Sequence, residues 1–155
     1  MKELHLSQGQ VALVDDEDYA DLSQFKWSAY WNPHTRSYYA QRGIRLPNGK
    51  TTSEKMHRRI LGLKRGDRRQ GDHRNHATLD NRRSNIRIVT HTENGRNRRD
   101  KGFSRDTRRK KYMACIQVNG VTKHLGYFDT AMDAHVTYLF AKAALHPTAE
   151  LVVMV

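Results

Sequence analysis

Residues 1–62 carry apolar positions in short runs divided by polar turns, the spacing of a small mixed unit rather than of long helices. Val11-Ala12-Leu13-Val14 is an apolar run suited to a strand. Asp15 to Asp18, followed by Tyr19 and Leu22 at helical spacing, predicts a helix whose acidic first turn complements the helix dipole without needing a bound cation. Phe25 to Trp31 and Ser37 to Ile44 are rich in aromatic and branched residues and read as two strands, with Asn48-Gly49 a turn. Ser53 to Gly62 reads as a short helix that offers Met56, Ile60 and Leu61 for packing and stops at Gly62, with Leu63 following. The expected unit is βαββ with a helix behind it.

The pattern changes after Gly62. Ile86 to Val89 is a short branched run that fits a strand better than a helix, and Thr90 with Glu93 forms the capping box that opens a helix. Toward the C-terminus, Tyr112 to Val118 and Val121 to Phe128 are strands joined by Asn119-Gly120, a dipeptide suited to a two-residue hairpin turn. Thr130 can cap a helix over Ala131 to Leu145, with Ala134, Tyr138, Ala141 and Leu145 on one face and Pro147 closing it. The organisation expected is an α+β chain of three small parts, 1–62, 63–99 and 100–155, the last a β-hairpin or sheet plus a helix.

Charge adds a partner to this outline. The net charge is +12, and residues 64–111 hold 17 Lys and Arg against 6 Asp and Glu, so one third of the chain carries nearly all of it. Such a density attracts phosphates and displaces their condensed counterions, and a polyanionic partner is expected. Disordered basic tails lack the apolar punctuation of Ile86, Ile88 and Val89. Cys115 is the one cysteine, which excludes an intrachain disulfide and a Cys-rich zinc site. No segment approaches the ~20 apolar residues of a membrane helix, and Met1 to Leu6 lacks the apolar stretch of a secretory signal. A cytoplasmic protein, monomer or homodimer, is expected.

The stretch that carries chemistry runs Gly71-Asp72-His73-Arg74-Asn75, then Leu79-Asp80-Asn81-Arg82-Arg83-Ser84-Asn85-Ile86-Arg87-Ile88-Val89-Thr90, then Glu93-Asn94. It reads as strand end, polar loop, strand, helix, and it closely resembles the ββα-metal motif of HNH nucleases, the order Asp-His, Asn, Asn being that of phage and intron homing endonucleases. The resemblance implies His73 as general base, Asn85 as the central Asn that braces the loop, and Asp72 and Asn94 as ligands of one Mg²⁺ or Mn²⁺ ion. The residue types suit those tasks. A neutral imidazole accepts a proton near pH 7, and carboxylate and amide oxygens favour a hard cation over zinc. His91 shares a helix face with Asn94 and is the other candidate for the helix ligand. Adjacent strand residues point to opposite faces, so Asp72 and His73 meet at one centre only where the strand ends or bends. Homing relatives often place a Gly-containing turn there; this chain has Arg74-Asn75-His76-Ala77-Thr78.

Lys111-Tyr112 through Asn119-Gly120, Leu125-Gly126-Tyr127-Phe128 and the Ala-rich helix after them resemble the DNA-binding domain of plant ethylene-response factors, with Tyr112 where that family usually has Trp. That resemblance implies a sheet laid in the major groove. The expected DNA contacts are Arg74, Arg82, Arg83 and Arg87 in the motif, Arg98, Arg99 and Lys101 on the phosphates between the parts, and Arg105, Arg108, Arg109, Lys111, Tyr112 and Lys123 in the last part. The combined reading is an endonuclease of double-stranded DNA; a non-catalytic DNA-binding regulator on the same scaffold is the rival. RNA binding would explain the charge but not the Asp72, His73, Asn85 and Asn94 spacing.

Overall fold

The computed structural model describes residues 1–98 and 100–146. It is mixed α+β, with four small antiparallel sheets and four α-helices among the described residues. The chain divides into two compact units, Met1–Asn94 and Gly95–Val155. Among the described residues no helix is long and apolar enough to cross a membrane.

The first unit begins with a hairpin of β1 (Lys2–His5) and β2 (Val11–Val14), Leu4 opposite Ala12, turned by a 3₁₀ segment at Ser7–Gly9. Helix α1 (Asp16–Leu22) follows, its first turn acidic as expected. Strands β3 (Ser28–Asn32), β4 (Ser37–Arg45) and β5 (Thr51–Lys55) form a sheet in that order. Leu4, Ala12, Val14, Leu22, Trp27, Ala40 and Met56 make the core, and the Trp27 indole donates to Leu22 O at 2.9 Å. Burying that N–H without a partner would offset part of the gain from burying the ring.

The helix expected over Ser53 to Gly62 is a correction. Thr51–Lys55 is a strand paired with β4, and only Met56–Ile60 is helix α2. The edge of β4 offers a ladder of hydrogen bonds that a polar Thr-Thr-Ser segment accepts more readily than a helix interior. The stop at Gly62 is where the residue reading placed it, with φ +66°. Strands β6 (Gln70–His73) and β7 (Ile86–Val89) then pair antiparallel, Asp72 opposite Arg87 and His73 opposite Ile86. Helix α3 (His91–Arg96) opens directly after β7.

The second unit is a three-stranded sheet, order β10-β9-β8, packed on α4 (Ala131–Leu145). The hairpin β9 (Lys111–Val118) and β10 (Val121–Phe128) turns at Asn119 and Gly120, both with positive φ, and β8 (Phe103–Asp106) adds an edge strand not expected from the residues. Thr130 caps α4, its hydroxyl accepting from Asp133 N at 3.1 Å. Pro147, expected to close α4, lies outside the described residues.

Candidate functional site

The polar loop between β6 and β7 is tied from several sides. Arg74 N donates to Asn85 O at 2.8 Å, and Asn85 engages the loop with both ends of its amide. Its Oδ1 accepts from Asn75 N at 3.1 Å, and its Nδ2 donates to Asp80 O at 2.8 Å and Ala77 O at 3.4 Å. Within the stretch Arg74 to Thr78, His76 takes the left-handed conformation, φ +64°, which favours glycine. Strand β2 reaches the same loop, with Leu13 N donating to Leu79 O at 2.9 Å and Asn81 N to Leu13 O at 2.8 Å. Thr78 Oγ1 donates to Tyr38 O of β4.

Alternation along β6 sets Gln70 and Asp72 on one face and Gly71 and His73 on the other. On the first face Arg87 Nε donates to Asp72 Oδ2 at 3.0 Å, and Nη2 stands 2.9 Å from the same oxygen without the alignment of a hydrogen bond. Asp72 is 8% exposed, so this pairing is formed largely out of water. Gln70 ties α3 to that face. Its Oε1 accepts from Asn94 Nδ2 at 2.5 Å, and its Nε2 lies 3.2 Å from His91 Nδ1. Both candidate helix ligands therefore meet the face that holds Asp72, and Asn94 keeps its amide oxygen without a hydrogen bond among the described residues. Among the described residues no three His, Cys, Asp or Glu side chains gather as a metal site, so a cation there would rest on Asp72, on Asn94 or His91, and on water.

On the opposite face His73, 4% exposed, is the last residue of β6. Its Nε2 lies 3.3 Å from Asn81 Oδ1, and its ring meets His57 edge-on at 4.8 Å between centroids and Tyr39 at 6.0 Å. Burial lowers the His73 pKa, with the Asn81 bond and the Asp72 and Asp80 carboxylates opposing it. His57 is pushed well below the ordinary histidine range, first by burial and then by the neighbouring His73, Lys55 and Arg58 charges. Both imidazoles are held neutral at pH 7. The sequence reading missed His57 and Asn81; neither sits at a spacing that marks it.

The expected DNA-contacting residues divide by what already holds them. Arg82 is paired with Asp80 at 2.7 Å, Arg83 with Asp18 at 2.7 Å and Glu17 at 2.6 Å, and Arg87 with Asp72. Arg74 lies exposed on the loop, and its amide donates to Asn85 O. The acidic first turn of α1 thus meets an arginine of the motif. In the second unit Arg98 and Lys101 are exposed but lend their carbonyls to Lys142 Nζ and His135 Nδ1; Arg99 lies outside the described residues. Strand register puts Lys111, Met113, Gln117 and His124 on the open face of the sheet. Arg105, Tyr112 and Lys123 register with Ala114 and Ile116, the side that α4 covers, where Tyr112 packs edge-on against Phe103. Arg105 and Lys123 emerge at its rim, exposed. Arg108 and Arg109 crown the turn after β8, their amides bound to Asp106, with the Arg109 guanidinium 4.5 Å from the Tyr127 ring.

Comparison with protein families, with curated proteins and with solved structures finds no match to this chain.

Proposed function

We propose that the protein is a metal-dependent DNA endonuclease of the HNH type, site-preferring in the manner of a homing endonuclease or nickase. The observation that carries this reading is the order in which the site is built: Asp72 and His73 at the end of β6, a loop braced by Asn85, strand β7, and Asn94 on the helix that follows at once. The oxygen donors Asp72 and Asn94 fit Mg²⁺ or Mn²⁺, which would polarise the phosphate and stabilise the leaving oxygen. His73, kept neutral by burial, takes the proton of the attacking water through a ring nitrogen, and Asn81 at Nε2 fixes how the ring is turned. Arg87 orients the Asp72 carboxylate, and Asn85 braces the loop that follows His73, the last residue of β6. The open face of the β8–β10 sheet, with its adjoining arginines, supplies the contacts that choose the DNA site.

One observation favours the non-catalytic regulator instead: Arg87 already occupies Oδ2 of the carboxylate that the ion would need. Plasmid cleavage with Mg²⁺, Mn²⁺ or EDTA, comparing the intact chain with His73→Ala, separates the two. The variant is expected to bind DNA as before and to lose about 10²–10⁴-fold in cutting rate, the usual contribution of a general base. DNA binding without metal-dependent cutting by the intact protein would overturn the nuclease reading.

A further inference from the structure

A cleft of about 540 Å³ opens in the first unit beside β6, within the ~300–1,000 Å³ range of ligand sites. His57 and Gly71 line it from the face of β6 that carries His73, and Gln70 and Asn94 from the face that carries Asp72. Lys55, Arg58, Lys64 and Arg65 also line it, and Glu54 is the one acidic residue among them. Glu54 is already engaged, 2.7 Å from Arg42 Nε and 3.8 Å from Arg59 Nη1. Arg58 is spent on the fold, donating to the Lys64 and Arg69 carbonyls and so shaping the rim. Lys55, Lys64 and Arg65 have no carboxylate partner among the described residues. Lys55 is half-buried with its ammonium 4.4 Å from the Tyr39 ring centroid, and burial and Arg58 both work against its charge. Cations drawn together this way, with their acidic neighbours already paired, are relieved by an anion.

We propose that this cleft receives the sugar-phosphate backbone of DNA on one side of the position that is cut, with Lys55, Lys64 and Arg65 pairing its phosphates. The proposal rests on the endonuclease reading for the position of the cut, but its charge argument stands on the cleft alone. None of the three residues belongs to the HNH-like stretch Asp72 to Asn94. They would grip the strand from the flank while the second unit selects the site.

Lys64 and Arg65 are exposed, so Lys64→Gln with Arg65→Gln removes two charges and leaves the packed interior intact. Affinity for a duplex of about 20 base pairs, followed by fluorescence anisotropy in EDTA at several salt concentrations, reads the number of phosphates neutralised. At ~0.9 per phosphate, the double variant should flatten the log–log salt slope by about 1.8. Its loss of affinity from ~50 to ~200 mM salt should then be about twelvefold smaller than that of the intact chain. The control is Lys26→Gln with Arg36→Gln, two exposed cations that do not line the cleft, and it should keep the original slope. An unchanged slope in the cleft variant, or an equal flattening in the control, would overturn the proposal even if the intact protein cuts plasmid. A flattened slope confined to the cleft variant upholds the pairing of phosphates by the cleft even if plasmid cutting fails; only its place beside a cut then falls with the nuclease reading.

Discussion

Asn85 is 6% exposed, and its amide oxygen and nitrogen both bind backbone groups of the loop it closes. Replacing it with alanine removes the acceptor of Asn75 N and the donor to Asp80 O, at a cost of about 1–3 kcal/mol. Asn85→Ala should therefore lower the urea midpoint, and under the proposed nuclease function it should slow cutting by loosening the loop rather than by removing a reacting group. An unaltered urea midpoint would remove Asn85 from its bracing role. Such a brace was implied by the resemblance of the stretch to the ββα-metal motif; the residue pattern alone marks only an Asn, a residue type that often satisfies turn amides, between a polar loop and a branched strand. His57 was not legible. It lies in a segment whose pattern suggested only helix packing, and its contact with His73 depends on how α2 meets β6. Asn81 was hidden for the same reason, since nothing in Asp80-Asn81-Arg82 says which side chain will turn inward.

At the scale of elements, two glycines set how closely strands approach their neighbours. A Cβ on Gly71 would stand 2.5 Å from His57 Cδ2 and 3.2 Å from Leu61 Cδ1, so β6 can lie against α2 only without a side chain there. Gly71→Ala should cost about 1–3 kcal/mol through overpacking and should reduce cutting as His57 is pushed toward His73, both measurable on the same purified variant. Gly102 is tighter still: its Cβ would fall 1.9 Å from Tyr138 Cγ, at φ +71°. Gly102→Ala should separate β8 from α4 and abolish most of the cooperative unfolding of the second unit; a calorimetric trace unchanged from the parent would refute that packing. The Asn119-Gly120 hairpin and α4 could be read directly because their signals are local, a two-residue turn of positive φ and a capped helical repeat. Strands β1 and β8 could not. Lys2-Glu3-Leu4-His5 and Phe103-Ser104-Arg105-Asp106 each offer a single apolar side chain, and their pairing partners make them strands. Ser53 to Lys55 failed in the other direction, because helical spacing of Met56 and Ile60 was extended backward across residues that β4 claims.

Across the whole molecule, proton binding follows from the buried histidines. His57 and His73 in the first unit and His146 in the second all have pKa values lowered chiefly by burial, so below about pH 6.5 the unfolded chain binds more protons than the folded one. Stability is then full above that pH and falls as the solution is acidified toward the lowered folded values. Melting temperature should drop between pH 7 and pH 5, and His57→Phe, which removes the most shifted of the three, should flatten that dependence. A melting temperature that rises on acidification would contradict the assignment of neutral buried rings. The bonds between β2 and the motif loop have a consequence of another kind. Because Leu13 lends both its amide and its carbonyl to Leu79 and Asn81, the loop between β6 and β7 takes its shape from a strand that precedes it by most of the unit. The stretch from β6 to β7 thus depends on a strand outside it for part of its hydrogen bonding. Transplanting this loop into another scaffold would mean carrying the amino-terminal hairpin along with it.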